Sequence, residues 1–103
     1  MNASNTYIRT ETLKSALDQA ADTLEFYDAE FATRLREAIL AGKLEKNIIF
    51  ADEFFIYGEE ISFPVPIRCE RYSFGYGENH FDLKWNETFG LAEWYWTNSI
   101  TRY

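Results

Sequence analysis

His80-Phe81-Asp82-Leu83-Lys84-Trp85, followed after Asn86-Glu87-Thr88-Phe89-Gly90 by Leu91-Ala92-Glu93-Trp94-Tyr95-Trp96, alternates apolar and polar side chains in its first run. Alternation marks a strand with one buried face, because successive side chains of an extended chain point to opposite sides. It directs Phe81, Leu83 and Trp85 toward a core and His80, Asp82 and Lys84 away from it. In the second run Ala92, Trp94 and Trp96 share one face. Leu91, Glu93 and Tyr95 share the other, so Tyr95 at least is expected at the surface.

Working back from this pair, Gly77-Glu78-Asn79 reads as a hairpin turn and Arg68 to Tyr76 as the preceding strand. Ile48 to Tyr57 is a further strand region, with a break expected near Asp52-Glu53, that turns at Gly58-Glu59 into Glu60 to Phe63. Pro64 and Pro66 have no amide to give a ladder, so residues 63–67 are expected to be an edge or crossing segment. With Leu91 to Ile100 as the last strand, the sequence predicts an antiparallel sheet of four or five strands over about residues 47–100.

The first part of the chain has a different period. Leu13, Leu17, Ala20 and Leu24 lie at helical spacing behind Thr10 as N-cap and Glu11 at the dipole's positive end, which predicts a helix over about residues 10–25. Phe31, Leu35, Ala38 and Ile39, with Asp28 and Glu30 in the first turn and Gly42 beyond the end, predict a second over about 28–41. Glu25-Phe26-Tyr27-Asp28 contains neither Gly nor Pro, and the apolar stripe runs on through Tyr27 to Phe31. One kinked helix over the whole stretch is the alternative, and its heptad spacing would favour a homodimer. The expected fold is therefore α+β: an N-terminal helix pair packed on an antiparallel sheet, as a single domain over residues 1–103.

The halves also differ in chemistry. Residues 47–103 hold fifteen of the nineteen aromatics and nine acids against four bases, in a chain of formal net charge −7. That balance repels phosphate backbones and disfavours direct binding to DNA or RNA. A single cysteine, Cys69, excludes an internal disulfide and any multi-cysteine zinc site, consistent with a reducing compartment. No apolar run has the length of a membrane span, and the first ten residues lack the apolar centre of a signal peptide, so a cytoplasmic protein is expected.

Catalytic chemistry has few candidates. Cys69, His80 and Asp82 would make a nucleophilic arrangement only if the fold brought them into one accessible pocket. His80, Asp82 and Glu78 supply too few converging ligands for a transition metal, and no phosphate-cradling glycine loop or calcium-loop pattern occurs. Phe74-Gly75-Tyr76-Gly77 has the aromatics of a base-stacking strand, but Glu70, Glu78 and Asp82 surround it. Asp52-Glu53 and Glu59-Glu60 are adjacent pairs whose side chains diverge, so neither forms a hydrolytic dyad by itself. No cofactor, no metal and no enzymatic activity are expected.

Carboxylates interleaved with aromatics fit a recognition surface better, since aromatics supply contact area and charges select the partner's sign. The expectation is a small acidic inhibitor of a larger basic partner, such as a nuclease or nucleoprotein complex, of the phage anti-defence or toxin-immunity kind. The contact residues predicted are Asp52, Glu53, Tyr57, Glu59, Glu60, Tyr76, Glu78, Glu93 and Tyr95. A homo-oligomeric protein built on the N-terminal helix is the rival reading, and a Cys/His-dependent enzyme the third.

Overall fold

The computed structural model describes residues 2–7, by their backbone, together with residues 12–56 and 58–98. Its elements in chain order are β1 (Asn2–Tyr7), α1 (Leu13–Leu24), α2 (Ala29–Ala41), β2 (Glu45–Ile56), β3 (Glu59–Tyr76), β4 (Asn79–Asn86) and β5 (Leu91–Asn98). The fold is α+β, two helices packed on one face of an antiparallel sheet whose strand order is β1-β5-β4-β3-β2. Strands β2 to β5 form a meander. β1 adds a fifth strand beside β5, with Asn2 opposite Thr97 and Tyr7 opposite Ala92. The sequence reading missed β1, because a polar strand at a sheet edge carries no alternating apolar signal.

Both helices start on side-chain caps. Thr12 Oγ1 accepts from the Ser15 amide at 3.0 Å, so α1 begins two residues later than expected and its cap is Thr12. Thr10 and Glu11 lie outside the described residues. Asp28 adopts an extended conformation and its Oδ1 accepts from the Phe31 amide at 3.0 Å, which makes it the N-cap of α2 rather than part of its first turn. This cap divides the long apolar stripe into two helices and excludes the single kinked helix. Gly42, at φ 66°, closes α2 in the left-handed region as its position predicted, and the Lys43 amide reaches back to the Ala38 carbonyl at 2.9 Å.

The main core lies between helices and sheet. Leu17, Ala20, Ala21 and Leu24 of α1 and Phe31, Ala32 and Leu35 of α2 meet Phe81, Leu83, Trp85, Trp94 and Trp96, all buried. The face assignment of β4 and β5 is therefore as the alternation predicts. Asn79 ties the β3–β4 turn to this layer: its side chain donates to Asp28 Oδ2 and accepts from Trp96 Nε1 at 2.8 Å.

A second, smaller core occupies the opposite face. Phe54, Ile56, Cys69 and Leu91 are buried there, flanked by Ile49, Ala51, Ile61, Phe63 and Ile67. It exists because the β2–β3 ladder breaks once. Ala51 pairs with Ile67 and Glu53 with Ser62, leaving Asp52 opposite residues 63–66. The extra residues lie on β3, and the odd shift of register reverses which alternate residues of β2 point inward, so that Ile49 and Ala51 before the break, and Phe54 and Ile56 after it, all face the same cluster. Pro64 and Pro66 fall within the unpaired stretch, where their missing amides cost no ladder bond. The segment counts as strand throughout, so β3 is one continuous strand of 18 residues rather than two.

Candidate functional site

Beyond the break the β2–β3 hairpin carries the densest negative charge of the described chain. Pairing of Glu53 with Ser62 and of Phe55 with Glu60 places Glu53, Phe55, Glu60 and Ser62 on the hairpin's outer face, while Phe54 and Ile56 fill the core beneath. Asp52, Glu53, Glu59 and Glu60 are all exposed. The Ser62 hydroxyl donates to Glu60 Oε2 at 3.0 Å. The Glu53 carboxyl is held above the ordinary carboxylate range, first by hydrogen bonding to Glu60 and by that group's negative charge, then by partial desolvation and Asp52; Lys84 acts in the opposite sense. Sequence spacing had paired neighbours along the chain, whereas the convergent pair is diagonal across strands. Tyr57 lies outside the described residues.

On the sheet face away from the helices, Asp82 is the centre of a hydrogen-bond cluster. Its Oδ1 accepts from Arg71 Nε at 3.0 Å, Arg71 Nη2 at 2.8 Å and the Ser73 hydroxyl at 2.7 Å, and Oδ2 lies 2.8 Å from His80 Nε2. A nucleophile relay needs the imidazole between hydroxyl and carboxylate. Here the carboxylate sits between the other two, so His80 cannot take the Ser73 proton. Cys69 is absent from the cluster. His80 pairs with Gly75, six residues along β3 from Cys69, or about 20 Å at strand spacing. The cysteine is buried in the second core with its Sγ 3.6 Å from the Ile67 carbonyl, and burial raises the thiol's pKa. The Cys69-His80-Asp82 arrangement does not form.

Lys84 and Glu93 face each other across β4 and β5 on this same side. Nζ lies 2.9 Å from Glu93 Oε1, donates to the Glu53 carbonyl at 3.0 Å, and stands 4.6 Å from the centre of the Phe54 ring. Tyr95 donates its hydroxyl to Glu93 Oε2. Glu93 is fully buried, which removes it from any contact surface and corrects the sequence expectation. A charge at a sheet position looks solvent-facing in sequence; here Lys84, itself held by the Glu53 carbonyl, and Tyr95 close on it. Tyr95, 38% exposed, borders a shallow depression of about 310 Å³ with Arg71 and Lys84.

The remaining predicted contacts are dispersed. Glu78 lies exposed in the β3–β4 turn, at the opposite end of β3 from the acidic hairpin tip. Tyr76 is partly exposed under Arg34 of α2, whose guanidinium carbon is 5.0 Å from the ring centre, and so belongs to the helix side. The acids that the fold brings together are Asp52, Glu53, Glu59 and Glu60. Among the described residues no group of three or more His, Cys, Asp or Glu side chains could hold a metal ion, and no helix is long and apolar enough to cross a membrane. Comparison with protein-family models, with curated proteins and with solved structures gave no match to this chain.

Proposed function

We propose that this chain is a small acidic binding protein that inhibits a larger, basic, nucleic-acid-binding partner by occupying the surface meant for nucleic acid, in the manner of phage anti-defence proteins or immunity proteins of nuclease toxins. The observation that supports this reading is the convergence of Glu53 and Glu60, with Asp52 and Glu59 beside them, at the tip of a hairpin. Carboxylates that repel one another in the free protein gain when a cation comes between them, and their spacing along an extended edge lets them stand where phosphates would. Phe55, 37% exposed between them, adds apolar contact. The reading places the protein in the cytoplasm, with its partner.

Affinity purification of the tagged protein from its host or host–phage pair, followed by mass spectrometry, is expected to recover a basic nuclease or nucleoprotein complex. With that partner purified, association should weaken as salt rises, added nucleic acid should compete, and Glu59→Lys with Glu60→Lys should chiefly slow the on-rate. Affinity that ignores salt, nucleic acid and charge reversal alike would make the acidic tip ordinary solvated surface and end the proposal.

A further inference from the structure

The outer edge of β2 carries a sequence that is complementary to itself. Among the described residues β2 is paired on one side only, with β3, so half of its backbone donors and acceptors face away from its ladder. Along that edge the chain reads Lys46-Asn47-Ile48-Ile49-Phe50-Ala51-Asp52. Edges are usually blunted by proline or by inward-pointing charge; this one has neither between its terminal Lys46 and Asp52. Instead Ile48 is 42% and Phe50 67% exposed, on the sheet face that bears the helices but past the layer they cover. Ile49 between them lines the second core.

We propose that this edge pairs with the β2 edge of a second copy, antiparallel about a two-fold axis at Ile49, joining two five-stranded sheets into one. Antiparallel pairing sets residues of equal parity opposite each other on the same face. A centre at Ile49 then places Lys46 opposite Asp52 of the partner, Asn47 opposite Ala51 and Ile48 opposite Phe50, each twice by symmetry. Charge meets opposite charge at both ends, and the two most exposed apolar side chains of the strand meet each other. Shifting the centre to Ile48 would set Lys46 against Phe50 and Asp52 against Leu44, and shifting it to Phe50 would set Lys46 against Phe54. Both alternatives lose the ion pairs. The ladder break falls at Asp52, which is therefore the last residue the paired edge can use, and the next pair out, Glu45 with Glu53, which would repel, lies beyond it. The interface is isologous, so it closes as a dimer and does not propagate.

This inference stands apart from the proposed inhibitor, and its test uses the protein alone. The wild-type chain should sediment as a dimer at micromolar concentration. Lys46→Asp sets like charges opposite each other twice and should weaken self-association by about tenfold or more. Lys46→Asp combined with Asp52→Lys restores opposite charges and should restore the dimer. The double variant also lacks the 3.6 Å bridge from Lys46 to Glu70, so recovery cannot be credited to intrachain contacts. Phe50→Lys should yield a folded monomer by circular dichroism. A monomeric wild-type chain at about 100 μM, far above the concentration at which a specific dimer should form, would overturn the proposal. So would a dimer indifferent to Lys46→Asp and Phe50→Lys, since it would lie on another surface.

Discussion

Two carboxyl groups that approach across a hairpin cannot both ionise without cost, and the sign of that cost can be followed with pH. The Glu53 carboxyl has its pKa raised in the folded state, so the contribution of this pair is favourable below the unfolded carboxylate pKa and is lost as pH rises through the folded value. Glu60→Gln should therefore raise the melting temperature at neutral pH, and the gain should vanish near pH 3, where the Glu53 carboxyl is protonated whether the chain is folded or not. Thermal unfolding followed at the two pH values checks this; an equal gain at both would mean the effect is not electrostatic. Glu70 works in the reverse direction. The Tyr72 hydroxyl donates to it at 2.6 Å and lowers its pKa, with Lys46 adding to the effect, so its contribution is present above the unfolded pKa and lost as pH falls through the folded one. Chemistry at Cys69 and His80 should be dispensable, given that the thiol is buried and remote from the imidazole. Cys69→Ser with His80→Ala is expected to fold, by circular dichroism, and to keep full partner binding and inhibition. A folded double variant that binds yet fails to inhibit would call for an enzymatic account.

At the level of elements, the legible parts of the sequence were those where one interaction dominates. Alternation in residues 80–85 fixed which face of β4 is buried, and Gly42 marked the end of α2, because burial and a positive φ each demand particular residue types. Two features escaped. The fold of the distal hairpin onto the sheet depends on a parity reversal at Asp52, and a shift of pairing register between two strands leaves no mark in the sequence of either one. The burial of Glu93 is just as hard to read, since the Lys84 that closes on it is itself held by the Glu53 carbonyl of that hairpin. The consequence is testable at Lys84, which joins the hairpin to the sheet through the Glu53 carbonyl, the Phe54 ring and Glu93. Lys84→Met should cost about 3–5 kcal/mol, as breaking one half of a buried ion pair leaves the other half uncompensated. Adding Glu93→Gln should recover most of that loss, and urea denaturation of the single and double variants measures both. If the double variant is no more stable than the single, Glu93 is not the source of the penalty.

Across the whole molecule, stability should be unevenly divided between the two sides of the sheet. Among the described residues fourteen buried ones form the core under the helices, and four form the core under the distal hairpin. Elements held by few apolar contacts open at lower free energy than those in the main core, so the hairpin should open as a unit while helices and sheet remain intact. In native-state hydrogen exchange, amides of residues 53–63 should exchange well before those of 81–85 and 92–96. Substitution should separate the two regions further. Phe54→Ala removes the largest side chain of the small core and, at about 3–5 kcal/mol for a buried phenylalanine, should release the hairpin while leaving the near-ultraviolet signal of buried Trp94 and Trp96 in place. Trp85→Ala carries a comparable cost, but it falls in the core that every other element needs. Its effect should appear as a lower midpoint for one cooperative transition seen by all probes. Simultaneous early exchange of both regions in Phe54→Ala would show that the two cores unfold together, and the hairpin could then not be treated as a separable arm on a stable base.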